Sequence, residues 1–392
     1  EQGMWALHNW IRESFRTNKP FDRFVTELVT AKGSIYSSGP ANYFRINGNA
    51  NDLTESTAQL FLGIRLECAK CHHHPFEKYS QGDYQNFSAF FKSVGTKGSE
   101  EFGLFGSETV VVVKAGQSGK ATPLGGEPVE HPLDLRIPLA KWLTAKDNQF
   151  FSQNVVNRYV SYLLGRGLVE PVDDLRSTNP PTNVAMMDAL AGHFAKSGYD
   201  LKLLLKALMS SRLYQLSSQP TEANVSDTRF YSHFRVKRIA AEPLLDAVDL
   251  ATAVPTKFKS LPLGTHATEL PDAGDFYSNY FLKTFAKPKR ASVCECERSS
   301  DENLAQALHT LNGDTIAGKV ANKQGRVARL LAAKKTHQQV VEELYLATLS
   351  RMPTAEEQKA CQEILEQSPS PKECYEDLLW ALINSKQFLF IR

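Results

Sequence analysis

The sequence has no long hydrophobic run. The aliphatic stretch Val110–Val113 is far short of a bilayer crossing, so no membrane span is expected. It has no excess of one charge. Against 45 Lys and Arg stand 43 Asp and Glu, a net of +2, so no global field argues for nucleic acid. Six cysteines in 392 residues are too few for a disulfide scaffold, yet too clustered to ignore. No methionine falls between Met4 and Met186. There is no phosphate-cradling glycine loop and no nucleophile elbow, which removes two common classes of enzyme. The chain opens Glu1-Gln2-Gly3, with neither an initiator methionine nor a basic, apolar, small-residue leader. We read that start as a cut, so the missing leader does not place the protein in the cytoplasm.

What is present is ordinary for a folded chain. Hydrophobic residues make 42% and charged residues 22%, which excludes long disorder and a fibrous repeat. Helical periodicity dominates. Trp5, His8, Ile11 and Phe15 share one face of a first helix. Pro20 opens a second, with Phe21, Phe24, Val25 and Leu28 inward and Gly33 as its stop. Asp52 with Glu55 reads as the capped start of a third, which carries Leu60, Phe61 and Ile64 and runs into a Cys/His cluster. A fourth follows Gly82-Asp83, with Tyr84, Phe87 and Phe91 on one face. Residues 95–133 are glycine-rich and hold the strand-like run Thr109–Lys114, a β-ribbon and linker. From Pro138 helices resume at Leu139–Leu143, Phe150–Leu164, Asn183–Lys196 and Leu201–Arg212. Pro353 followed by Thr354 and Glu357 marks a further helix start. The expected fold is mainly α, two helical lobes joined by a short β-ribbon and Gly-rich linker. The domains are a helical domain 1–94, the ribbon and linker 95–137, and a helical domain 138–392.

The cluster is Cys68-Ala69-Lys70-Cys71-His72-His73-His74. Cys68-x-x-Cys71-His72 has the spacing of covalent c-type haem attachment. Thiols three apart on a helical turn share a face, about 5–6 Å apart at Cβ. They can add to the two vinyl groups on one side of a porphyrin, and the next residue turns its imidazole to the iron. Three other readings stand beside it. A thioredoxin-like disulfide needs a strand–helix context that is absent. The thiols can be plain structural residues. The sharpest rival is a tetrahedral zinc or iron site, with ligands from Cys68, Cys71, His72 or His74 and the shell completed by Cys294 and Cys296. A sixth ligand for haem iron is hard to find, because no methionine follows the motif. His73 and His74 are too close in sequence to cross to the opposite face, which leaves His8, His131, a distant residue or a five-coordinate iron. The aromatic group Phe76, Tyr79, Tyr84, Phe87, Phe90 and Phe91 can wall a haem or form ordinary core.

Phe61-Leu62-Gly63-Ile64-Arg65 through Cys68 to Tyr79, then Asp83-Tyr84 and Ala89-Phe90-Phe91, resembles the planctomycete cytochrome-type family. Ala140–Ala145, Asn157-Arg158-Tyr159, Gly165–Pro171, Ser211–Ser218 and Cys294–Ser299 resemble the domain of unknown function usually fused behind it. The resemblance covers nearly the whole chain. It implies an exported protein, periplasmic or at the cell surface, of planctomycete-like bacteria. It gives Cys68, Cys71 and His72 the haem role, with haem c as cofactor. It carries no reaction and no catalytic residue. Longer relatives have an N-terminal segment absent here, sometimes with a further cytochrome-like or sugar-binding module.

Cys361 and Cys374 flank Gln367–Pro371, a turn between two helices. A disulfide across that hairpin and two free core thiols are both open there. Asp173-Asp174 with Arg176 reads as a solvated charged loop, with calcium or sugar binding as its functional alternative. Lys319, Lys323, Arg326 and Arg329 read as a solvated basic stripe that can steer an acidic redox partner or an anionic glycan. Three functions are thus carried forward. The first is an exported c-type haem protein in electron transfer or redox chemistry, with a redox partner protein. The second is a non-haem zinc or iron protein with a hydrolytic or structural role. The third is a cell-surface scaffold whose cysteines are structural.

Overall fold

The computed structural model describes residues 2–75, 77–99, 108–114, 120–271, 276–289, 293 and 314–391. At 53% helix with only short strands, the fold is mainly α, as expected. The described residues form two compact units, the first running to Arg235 and the second beginning at Val236.

In the first unit the opening helix is Gln2–Arg16. Its inward face is not the expected one. Gly3 and Ser14 are buried and Leu7 and Trp10 pack on the core, while Phe15 is 41% exposed. The reason is steric. The helix lies against the turn Gly39–Ala41, where a Cβ on Gly39 would stand 2.5 Å from the Ala6 carbonyl oxygen. Only glycine at 39 admits so close a backbone, with Ala6 and Trp10 of the helix against it. The second helix, Phe21–Val29, buries Val25, Leu28 and Val29. It ends before Gly33, whose φ of +99° instead opens a short strand, Gly33–Ser34. That strand pairs antiparallel with Glu108–Val113, which pairs in turn with Val94–Ser99. The valine run is thus the middle strand of a three-stranded sheet.

The third long helix is Ala50–Leu62. It starts three residues earlier than expected, because Asn49 and not Asp52 caps it, through the Asn51 and Asp52 N–H groups. It also stops short of the Cys/His cluster. Gly63 ends it in the left-handed region, φ +67°. A Cβ there would meet Asn154 Oδ1 at 2.8 Å and Leu175 Cδ1 at 2.9 Å, so the position is closed to larger residues twice over. The helices Arg136–Leu143, Gln149–Leu164, Val184–Lys196 and Leu201–Met209 complete the unit. The last is three residues shorter than its periodicity suggested.

The second unit ties its two ends together, since Lys237–Arg238 pairs with Phe390–Ile391. Its core is helical. Leu244, Leu245 and Val248 of Ala241–Thr252 are buried, as are Val340 and Leu344 of His337–Leu349 and Leu379 and Ile383 of Pro371–Ile383. The expected capping box at Thr354 is present. Its hydroxyl accepts from Glu357 N at 3.2 Å, and the Glu357 carboxylate accepts from Thr354 N at 2.7 Å. The expected basic stripe is only partly a solvated face. Lys319 is buried against Asp249 at 2.8 Å. Arg326 donates to Glu343 at 2.5 Å and to the Ala251 carbonyl at 2.7 Å. Lys323 and Arg329 alone of the four are exposed. Buried cations are found where carboxylates and carbonyls meet them, which spacing along one helix does not reveal.

Candidate functional site

After Gly63 the backbone straightens for three residues and then turns into a 3-10 helix, Glu67–Lys70. The motif therefore sits on a separate short turn rather than at the end of the long helix. Ala69 N donates to the Leu66 carbonyl at 2.9 Å, and Leu66 and Ala69 are buried. These two apolar residues plug the turn into the core and leave its other side to solvent. Cys68 and Cys71 lie on that outer side, both free and exposed. Residues i and i+3 eclipse in a 3-10 turn, so the two thiols stack on one edge. Cys71 N and His72 N both reach the Cys68 carbonyl at 3.4 Å, closing the turn.

His72 is exposed, and its Nδ1 lies 2.7 Å from the His73 carbonyl oxygen. A carbonyl only accepts, so Nδ1 carries the hydrogen. In the neutral ring Nε2 then keeps the lone pair, which is how metal-binding imidazoles are usually prepared. His73 Nδ1 faces Gln81 N at 3.4 Å, and His74 N donates to the Tyr79 carbonyl at 3.0 Å. The three histidines thus differ in setting although they adjoin in sequence.

Three fixtures hold the turn. Lys70, inside the motif, pairs with Glu55 at 3.3 Å. Glu55 also accepts from the Tyr84 hydroxyl at 2.8 Å, which joins the turn to the helices Ala50–Leu62 and Gln81–Ser88. Burial, followed by that hydrogen bond, pushes the Tyr84 hydroxyl far up from its ordinary value. Burial likewise pushes Tyr79 up to about 12, so both phenols stay protonated. The second fixture is Asp173. It was expected in a solvated loop, but it is fully buried, accepting from Arg65 at 2.5 Å and from Gln59 at 2.7 Å. The loop is neither a solvated nor a calcium-type loop at this residue; it is an anchor for the approach to the motif. The third is the end of the long helix itself. Asn154 donates to the Leu60 carbonyl at 2.7 Å and Arg158 to the Gln59 carbonyl at 3.1 Å, which satisfies carbonyls that a helix terminus leaves open.

Tyr79, Tyr84, Phe87, Phe90 and Phe91 are all buried. Phe87 packs edge-on to Phe90 and to Trp142, so these rings are core of the first unit. Phe76, Cys294 and Cys296 lie outside the described residues. Of the other candidate ligands, His131 is occupied, its Nδ1 accepting from Leu133 N and Asp134 N. His8 stands edge-on to Trp5, with Nδ1 buried and without a hydrogen bond. Among the described residues no three His, Cys, Asp or Glu side chains are gathered as a metal ion would gather them.

Fold and site together define a mainly α protein that presents a Cys-x-x-Cys-His turn at its surface. A family model for proteins of unknown function, DUF1553 (PSD1), matches residues 135–262 and 266–365, and one for proteins of unknown function, DUF1549 (PSCyt2), matches residues 1–96. The chain belongs to the DUF1553 family and carries DUF1549 ahead of it, the planctomycete-type arrangement. No curated protein and no solved structure matches it.

Proposed function

We propose that Cys68, Cys71 and His72 are a covalent attachment site for haem c, on an exported protein that works in electron transfer or redox chemistry with a partner protein. The observation that carries this is the His72 ring. Its Nδ1 is held by the His73 carbonyl at 2.7 Å beside two exposed, free thiols on one edge of a turn. Among the described residues the donor set suits haem better than a bare ion. Zinc or iron alone needs three or four ligands converging on one point. Haem asks the chain for two thioether anchors and one imidazole, which need not converge. A bound haem would supply a one-electron iron couple. The chain's own part is to hold the turn. Asp173–Arg65 fixes the backbone ahead of the thiols and Lys70–Glu55–Tyr84 fixes it between them, and Leu66 and Ala69 root it in the core. The exposed edge leaves a redox partner free to approach.

The test is expression with an export signal in a host whose c-type ligation machinery matures a control cytochrome. The peptide carrying residues 68–72 is expected to gain one haem of mass, and the Soret band is expected to survive denaturation. Cys68→Ser with Cys71→Ser abolishes both, while His72→Ala keeps the added mass and shifts the spectrum. A colourless protein with unmodified thiols from that host, beside a matured control, sinks the proposal. Stoichiometric zinc or iron on such a protein would select the bare-metal alternative.

A further inference from the structure

Cys361 and Cys374 differ from the motif thiols in burial. They are 5% and 2% exposed, and both are free. Cys361 and Ile364 lie on one face of the helix Ala355–Gln367. Cys374, Asp377, Leu378 and Ala381 follow at helical spacing on one face of the next helix, Pro371–Ile383. All six line a single cavity of about 320 Å3 between the two helices, partly open to solvent where Ile364, Asp377 and Ala381 are exposed. Both cysteines therefore border one cavity. Burial pushes the Cys361 thiol up, and the neighbouring Cys374 is the next largest cause. Burial pushes Cys374 up as well.

We propose that Cys361 and Cys374 are a disulfide-forming pair, closed by exchange with a disulfide oxidant of the glutathione class. The thiolate of one cysteine attacks the oxidant. A new S–S bond forms as the old one breaks, and one glutathione thiolate leaves. The second cysteine then attacks the protein sulfur of that mixed disulfide and releases the second glutathione. The protein loses two electrons and two protons, and the oxidant gains them. The open cavity beside both cysteines lets their side chains turn toward each other with less repacking than a filled interior would demand. A raised thiol is a poor nucleophile at neutral pH, so the pair is a slow structural staple and not a catalytic dithiol. Closing a loop of this size shifts an unfolding equilibrium by about 100-fold.

The test uses the full chain, and it stands apart from haem attachment because the exposed thiols can be treated first. Brief alkylation blocks Cys68 and Cys71. The protein is then unfolded and refolded in a redox buffer of reduced and oxidised glutathione, so burial does not shield the remaining thiols. Digestion without reduction is expected to give residues 361 and 374 in one cross-linked species, two hydrogens lighter than its reduced parts. Guanidinium unfolding is expected at higher denaturant, returning to the reduced midpoint with dithiothreitol. Cys361→Ser and Cys374→Ala each abolish the cross-link and the dithiothreitol-sensitive shift. Thiols 361 and 374 left free, or joined to other cysteines, overturn the proposal.

Discussion

Arg136 has no exposed surface, yet every nitrogen of its guanidinium has a partner. Nε and Nη2 meet the two carboxylate oxygens of Asp134 at 3.0 and 2.8 Å, Nη1 reaches the Ala31 carbonyl at 2.7 Å, and the Phe44 ring lies 4.7 Å from the guanidinium carbon. Arg136→Met leaves the Asp134 carboxylate buried and unpaired. A loss of about 3–5 kcal/mol in urea unfolding is expected, while Cys68 and Cys71 keep their reactivity toward a thiol reagent. Hydropathy hides such residues. Asp173 resembles any loop carboxylate until Arg65, 108 positions earlier, is brought beside it. The motif residues Cys68, Cys71 and His72 were the opposite case. Their chemistry is local, so spacing alone singled them out, although the hydrogen bond that readies His72 was not visible there.

Helix ends were legible wherever the cap is a side chain close in sequence. Thr354 and Glu357 are an instance, and Thr354→Ala is expected to cost about 1 kcal/mol, read from denaturant midpoints. Glu357 adds a pH effect. The Arg351 side chain, then the Thr354 backbone N–H, lower its carboxyl from 4.5 to about 2 despite partial burial. The folded state thus holds the proton less tightly than the unfolded chain. The stabilisation is complete above the ordinary carboxylate range and fades as pH falls from about 4.5 toward about 2. Glu357→Gln should flatten that limb of the thermal midpoint against pH and leave the neutral limb parallel to the parent. The C-terminal Gly63 was a readable stop as well, but the apolar residues beyond it continued the helical period and masked it. Tyr214 N reaches Ser211 Oγ at 3.3 Å, and Phe388 N reaches Ser385 Oγ at 3.2 Å, so the same serine turn follows both helices.

Each compact unit has its own buried core. Calorimetry is therefore expected to resolve two unfolding transitions. Leu379 of the second unit is fully buried, so Leu379→Ala should weaken one transition by about 2–5 kcal/mol. Arg136→Met should lower the other. A single transition moved equally by both substitutions would show that the units unfold as one. The sequence by itself determined that the chain is mainly helical, where many helices begin, and which three residues are the candidates for haem attachment, because periodicity, caps and motif spacing act over a few residues. Only the tertiary structure decided that residues 149–164 close the end of the helix Ala50–Leu62, that Asp173 is an anchor, and that two thiols border one cavity. Those facts depend on groups far apart in the chain meeting in a close-packed interior, where shape and burial choose the neighbours.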